Sequence, residues 1–422
     1  MTVKTCIFID EAIDIILGNV KPLPAEQIDI SAALGRTLAA DVIAQREHPP
    51  WNNSAMDGYA VRWRDINMAS PNKPVKLKII GEIQAGSLSA SSVNKSEALK
   101  IMTGAPMPKG ADSVVKIEDT EQTGDIVTIN KSCKDQANVR FKGEDIRLGE
   151  TVLTAGKLIR PAEIGMLATS GYKQVQVYKQ ATVTVLATGN ELVEPSETLT
   201  PEKIINSNSY SIAAQIMECG AIAQALPIAK DNKDDLTKKI SQALQANIAI
   251  VIGGVSEGKY DYVKDVLETL GCEIKFWRVL IKPGFPIAFG IMPKNNTRQT
   301  LVFALPGNPV SCMVTFYQFV LPALYKMQGL KNLFLPQLET TLDETINIQP
   351  GRRHYARAIT HYTDGVYHSR LTGNQGSGIL TSMTSANSLL IIPETGGEFK
   401  VGSKMQVQLL PGTHLHQPVT EH

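Results

Sequence analysis

Three glycine-containing strings could form phosphate-holding loops: Ala187-Thr188-Gly189-Asn190-Glu191-Leu192, Gly253-Gly254-Val255-Ser256-Glu257-Gly258-Lys259-Tyr260-Asp261-Tyr262 and Leu305-Pro306-Gly307-Asn308-Pro309-Val310-Ser311. Glycine lets a backbone turn tightly and approach a ligand, and free N–H groups at a helix start attract anions. Pro309 suits the first turn of a helix, where no backbone donor is needed. Turn chemistry alone would explain any one of them; three at one sheet edge are much harder to dismiss. Between the second and third lies Ile281-Lys282-Pro283-Gly284-Phe285-Pro286, where Lys282 follows an apolar strand and would project toward the same edge. Carboxylates complicate this picture. Glu191, Asp231 and Asp261 sit in or near loops suited to phosphate and would repel it unless a cation intervened. Mg²⁺ held by carboxylates and substrate oxygens is the usual resolution. Taken singly, each of these acids reads as a helix cap or a solvated charge; together they favour metal-assisted chemistry on a phosphate.

Three further strings are polar and turn-rich: Asn52-Asn53-Ser54-Ala55-Met56-Asp57-Gly58-Tyr59-Ala60-Val61-Arg62, Ile101-Met102-Thr103-Gly104-Ala105-Pro106 and Arg140-Phe141-Lys142-Gly143-Glu144-Asp145-Ile146. Their residues alone describe loops with Asx-type turns. His354, His361 and His368 recur every seven residues, but an odd spacing on strands alternates faces, so they are not read as a metal site.

The elements that must position these residues follow from apolar periodicity. Ile9, Ala12, Ile13 and Ile16 fall at helical spacing. A helical pattern returns at Arg160 to Leu167 and is expected to pack on that first helix, giving a discontinuous helical domain over 1–44 and 148–180. Between them, 45–147 reads as an irregular β lobe, with β-branched runs at Val75 to Ile80, Ser113 to Ile117 and Ile126 to Ile129. Apolar strands at Thr182 to Ala187, Ile248 to Ile252 and Leu301 to Leu305 alternate with helices at Ser209 to Cys219, Tyr260 to Leu270 and Val310 to Met327. Over 181–330 this predicts a doubly wound α/β domain with a parallel sheet, whose ligands sit beyond the carboxyl ends of the strands. Short strand-like runs from His354, Gly365, Ser388 and Met405 predict a β-barrel over 331–422. The fold class is therefore multidomain α/β plus β.

Bulk properties exclude several functions. The 422 residues exceed one compact core, and 43% hydrophobic with 20% charged residues is an ordinary globular balance. The net charge of +1, from 42 basic and 41 acidic residues, includes no basic run able to track nucleic acid. Five scattered cysteines without a C-x-x-C pair indicate neither a disulfide framework nor a thiolate zinc site, and fit a reducing cytoplasm. Carboxylates interrupt the apolar start, so neither a signal peptide nor a membrane span is expected.

Taken in order, NSAMDGYAVR, MTGAPMPKGAD, GEDI, ATGNEL, GGVSEGKYDY, KPGFP and LPGNPVS make the chain resemble the molybdopterin molybdenumtransferases, called MoeA in bacteria and the E domain of gephyrin in animals. The resemblance spans essentially the whole chain. It implies an elongated, four-domain homodimer whose cleft joins the α/β domain of one subunit to the β lobe of the other. It also implies an enzyme that inserts molybdate into adenylylated molybdopterin with release of AMP, in transient contact with molybdopterin adenylyltransferase and acceptor molybdoenzymes. Carried over by motif, Asp57, Thr103 and Asp145 face the cleft from the lobe. Glu191, Asp231, Ser256 and Asp261 match acidic and serine positions near phosphate and Mg²⁺, beside Gly253 and Gly254 of the second loop. Lys282, Ser311, Arg357 and Ser377 resemble positions that hold molybdate, with Arg352 and Arg353 as neighbouring alternatives to Arg357, and Pro306 and Pro309 shape the loop between. No protein nucleophile is required, because positioning and charge neutralisation can supply the rate.

The chain departs from the family pattern at Asn190, where aspartate is usual, and at Glu257 and Lys259 in the second loop. It departs again at Phe285, where many relatives carry lysine. That last change removes one molybdate-holding cation unless Lys259 or Arg353 replaces it. Two rival readings are a molybdopterin adenylyltransferase and a non-catalytic scaffold of the gephyrin kind. The first typically continues from its two glycines into threonine and glycine, where this chain has Val255 and Ser256, and the extra lobe and barrel also fit the insertase better. The second accompanies a fused domain and long linker that this sequence does not carry.

Overall fold

The computed structural model describes residues 3–87, 90–254, 262–295 and 298–412, with only the backbone at 294, 295 and 298. The chain forms two compact units. One comprises Met1–Glu26, Gly35–Ala39 and Val177–His422; the other comprises Gln27–Leu34 and Ala40–Gln176.

The first unit is built on continuous apolar strands. Ile248–Ile252 is buried at every residue, and Thr182–Ala187 at all but its first, so both must lie inside a sheet covered on two faces. The seven-stranded sheet runs in the order Lys4–Ile7, Glu273–Val279, Ala288–Asn295, Arg298–Leu305, Ile248–Ile252, Thr182–Ala187, Ile222–Ala225. Its last four strands are parallel. Ala288–Asn295 runs antiparallel to both neighbours, so the sheet is mixed where a parallel one was expected. Too few residues separate Ala288–Asn295 from Arg298–Leu305 for a crossover, and adjacent strands so joined must run antiparallel. Phe276, Phe289 and Phe303 pack as tilted rings across three of these strands, at centroid separations of 5.8 and 5.0 Å. The helix expected from Val310 to Met327 begins at Pro309 and passes through a wider π turn, Phe316–Val320, before Leu321–Met327. Pro322, which has no N–H to donate, follows that turn.

The helix Ile9–Gly18 does not join Pro161–Thr169 as its spacing had led us to expect. Its buried stripe of Ile9, Ala12 and Ile16 shares the sheet domain's core with Phe316, Val320 and Leu324. The strand before it pairs with Glu273–Val279. Pro161–Thr169 lies in the other unit and packs on the turn Ile30–Ala32. Periodicity marks a stripe to be buried, but not the surface that buries it.

Beyond the sheet domain, Arg353–Thr363, Val366–Leu371, Gln337–Leu342, Lys404–Leu409 and Ser388–Ile392 pair in a closed ring, the predicted barrel. The two-residue strand Ile281–Lys282 pairs parallel with Arg353 and His354 and so ties sheet domain to barrel. His361 and His368 face each other across the Arg353–Thr363/Val366–Leu371 hairpin, with ring centroids 5.7 Å apart. Face alternation along one strand had not allowed for that pairing.

The second unit carries a six-stranded sheet in the order Ser113–Lys116, Gly58–Val61, Glu97–Ile101, Val75–Ile83, Ile126–Ile129, Thr120–Thr123. Tyr59, Val61, Leu77, Val115 and Val127 form its core. No helix among the described residues is long and apolar enough to cross a membrane.

Candidate active site

The carboxyl ends of Thr182–Ala187, Ile248–Ile252 and Arg298–Leu305 open into a cleft of about 580 Å³, within the usual range for small-molecule sites. Glu191, Asp231, Gly253, Gly254, Pro306 and Pro309 all line it. Gly253 and Gly254 adopt left-handed φ angles of +91° and +64°. A Cβ on Gly254 would stand 2.4 Å from Val263 Cγ2, and one on Gly253 2.9 Å from the Thr188 carbonyl oxygen. Only glycine fits both the angle and the space.

The first loop is fastened to the segment carrying Asp231. Gly189 N–H donates to Ala229 O at 3.1 Å, Asn190 N–H to Asp231 Oδ2 at 3.0 Å, and Asp231 N–H to Asn190 Oδ1 at 3.2 Å. Asn190 thus has a physical role: an aspartate there would set a second carboxylate against Asp231. Among the described residues, no donor reaches Asp231 Oδ1 or the Glu191 carboxylate, so both present free oxygens to the cleft.

Where Pro309 ends the cleft rim, the helix Pro309–Thr315 begins. Val310 N–H donates to Ser377 O at 3.1 Å, and Ser311 is buried one residue further on. The same loop covers Arg357, whose Nη2 donates to Gly376 O at 3.2 Å and whose Nε donates to Ser382 Oγ at 3.0 Å. Arg357 is 1% exposed, and burial pulls its pKa down to about 10. Among the described residues it meets no carboxylate. A buried guanidinium bonded only to neutral oxygens lacks a counter-charge, which an anionic ligand would supply.

The Lys282–Pro286 turn packs on the same helix: Gly284, at φ +110°, lies so close that a Cβ would sit 2.3 Å from Thr315 Cγ2. Lys282 is exposed and in register with His354. His354 is buried, and burial, reinforced by the charges of Lys282 and Arg352, lowers its pKa to about 4. Arg353 donates to both Asp10 carboxylate oxygens, at 2.8 and 2.9 Å, and pairs with Glu394 at 2.9 Å. It is therefore not available as the substitute cation the sequence had suggested.

In the other unit, Thr103 N–H and Oγ1 both donate to Asp57 Oδ1, each at 2.7 Å, which holds the Asp57 carboxyl below the usual carboxylate range. Asp145 is exposed and its N–H donates to His48 O at 3.1 Å. Gly104 N–H to Ser54 O at 2.8 Å, and Lys142 N–H to Asn52 Oδ1 at 2.8 Å, join the three motif strings into one surface.

Family models match in series along the chain: "MoeA N-terminal region (domain I and II)" over 7–171, "Probable molybdopterin binding domain" over 184–326 and "MoeA C-terminal region (domain IV)" over 340–410. A protein of Nostoc sp. named molybdopterin molybdenumtransferase is 36% identical over 404 residues, 94% of this chain and 92% of its own. The chain belongs to the MoeA family. A molybdopterin molybdenumtransferase 2 of Mycobacterium tuberculosis is 35% identical over 386 residues, 90% of this chain and 94% of its own. The solved molybdopterin biosynthesis MoeA protein of Pyrococcus horikoshii is 29% identical and superposes with a TM-score of 0.79, covering 96% of this chain and 100% of that one.

The MoeA motif positions thus fall into three places. Glu191, Asp231, Gly253, Gly254, Pro306 and Pro309 share the cleft; Lys282, Ser311, Arg357 and Ser377 lie on segments packed around the adjoining helix start; Asp57, Thr103 and Asp145 belong to the other unit. Ser256 and Asp261, with Glu257 and Lys259, lie outside the described residues. Reading the sequence missed Asn206, Ser207 and Asn208, which line the cleft together with Thr188 of the first loop. Asn208 Nδ2 donates to Gly307 O at 2.7 Å and fastens the helix Asn208–Glu218 to the third loop. The run Asn206-Ser207-Asn208-Ser209, four cap-forming residues before an apolar stripe, was the available signal.

Proposed function

We propose that the protein inserts molybdate into adenylylated molybdopterin: two pterin sulfurs replace oxygen on the metal, that oxygen leaving as water, and a water molecule cleaves the phosphoanhydride so that AMP leaves. One observation carries this reading: the helix start Pro309–Ser311 borders both the glycine-lined cleft and the loop that covers the uncompensated Arg357. A substrate with a phosphate for the cleft and a tetrahedral oxyanion beside it satisfies both. Gly253, Gly254 and Gly307 admit the phosphate close to the backbone. Lys282, Ser311, Arg357 and Ser377 hold the oxyanion. The free oxygens of Glu191 and Asp231 are hard donors of the kind Mg²⁺ takes, together with substrate oxygens, and Asp261 would complete the set. Bound there, Mg²⁺ would neutralise charge between carboxylates and phosphate. Catalysis by positioning and charge neutralisation fits the buried state of Cys219 and Cys272, whose thiols burial pushes up to about 12, far from a nucleophile's range.

The working form is a cytoplasmic homodimer in which Asp57, Thr103 and Asp145 of one subunit complete the cleft of its partner. It meets molybdopterin adenylyltransferase and acceptor molybdoenzymes transiently. Mixing Asp57→Ala subunits with Asp231→Ala subunits should restore one intact site per heterodimer; mixtures no more active than either parent would refute the shared cleft. The function itself is tested with purified protein, adenylylated molybdopterin, molybdate and Mg²⁺, following AMP by chromatography. AMP should appear only with molybdate, and Glu191→Gln should abolish it without changing the melting temperature. Adenylylation of molybdopterin by ATP would instead support the adenylyltransferase reading.

A further inference from the structure

We propose that Arg352, pinned on the ring of Phe285, binds the incoming oxyanion together with Lys282, an assignment that rests on the insertase reading of this site. The Arg352 guanidinium carbon lies 4.5 Å from the Phe285 ring centroid, and Arg278 approaches the same ring at 5.8 Å. Lys282 stands three residues before Phe285 in one turn and is in register with His354, two residues after Arg352. Both cations bear on the buried His354, which stays neutral and offers them no counter-charge.

Their neighbours differ. Arg353 is bound by Asp10 and Glu394, and Lys275 by Glu273. Among the described residues, neither Lys282 nor Arg352 meets a carboxylate, in a chain whose 42 basic and 41 acidic residues nearly cancel. Two exposed cations set about one neutral imidazole repel each other until an anion lies between them. Phe285 makes the arrangement specific. Its face offers the guanidinium a platform 4.5 Å away, and a guanidinium laid on an aromatic face can still bond two oxygens of a tetrahedral anion through its N–H edge. The aromatic ring at position 285 thus positions a cation instead of subtracting one.

The test is equilibrium dialysis of the full-length protein against molybdate alone, with bound metal quantified, for wild type, Arg352→Ala, Arg352→Lys, Phe285→Leu and, as a control, Lys76→Ala on the exposed surface of the lobe. Losing a charged donor should raise the dissociation constant of Arg352→Ala roughly ten- to a hundredfold. Removing the aromatic platform in Phe285→Leu should raise it about two- to fivefold, and Arg352→Lys should fall between wild type and Arg352→Ala. All variants should melt as wild type does. Wild-type binding by Arg352→Ala would overturn the assignment alone, and an unaffected Phe285→Leu would overturn the pinning. A wild-type protein that binds no molybdate would overturn the insertase reading and this assignment with it.

Discussion

Replacing Arg357 with methionine separates a charge kept for a ligand from one kept for the fold. Burial lowers the Arg357 pKa from 12.5 to about 10, and a fall of that size corresponds to about 3 kcal/mol against the charged form. The sign follows from proton counts. Between pH 10 and 12.5 the unfolded chain holds a proton that the folded chain has lost, so stability rises with pH there; below pH 10 the full penalty is present. Methionine removes that penalty and forfeits the bonds to Ser382 Oγ and Gly376 O, each contributing about 1.5 kcal/mol at the low end for charged donors. The terms nearly cancel, so Arg357→Met should unfold in urea within about 2 kcal/mol of wild type, as replaced buried charges often do. Molybdate then discriminates. At a hundred times its dissociation constant a ligand stabilises by about 2.7 kcal/mol. Wild type should gain that, and Arg357→Met should gain nothing. A loss above about 4 kcal/mol without ligand would make Arg357 a structural residue. A variant still stabilised by molybdate would remove it from the oxyanion site.

Two further predictions concern titration. Thr103→Val should raise the Asp57 midpoint, read by NMR, part of the way towards the ordinary carboxylate value, because valine removes the hydroxyl bond and keeps the larger backbone N–H bond. The stabilisation the two Thr103 bonds bring is present above the ordinary carboxylate pKa and lost as pH falls through the lowered one; an unmoved midpoint would mean that the Thr103 hydroxyl contributes nothing to it. His354 should remain neutral down to about pH 4, and since the unfolded chain protonates near 6.5, about 3 kcal/mol of stability should disappear as pH falls from 6.5 to 4. His354→Gln should flatten that part of the urea-unfolding profile, and an unchanged slope would assign the loss to another group.

How much of this was legible in the sequence depended on burial and on range. Thr182–Ala187 and Ile248–Ile252 could be read because strands covered on both faces tolerate no polar interruption. Glu273–Val279, with the sequence EIKFWRV, was missed because its charged residues break the continuous apolar run that marks a buried strand, and Ile222–Ala225 because it is short, largely exposed and at the sheet edge. The cleft residues were legible because glycines and helix-start prolines state a backbone requirement locally. The roles of Arg352, Arg353 and Arg357 were not. Arg353 is taken by Asp10, 343 residues away in sequence, while Arg352 is held by Phe285, and no local pattern reports either contact. Asn190 was legible only as a departure from the family's usual aspartate, and its reciprocal bonds with Asp231 span 41 residues of sequence.

The central claim is that one molybdenum is transferred for each phosphoanhydride cleaved. A single turnover with enzyme in excess of adenylylated molybdopterin, saturating molybdate and Mg²⁺, followed by elemental mass spectrometry of the pterin product and chromatography of AMP, measures that ratio. Molybdenum insertion predicts one metal atom in the pterin product per AMP, and neither product without molybdate. AMP released equally well in the absence of molybdate, or released with a metal-free pterin, would contradict it.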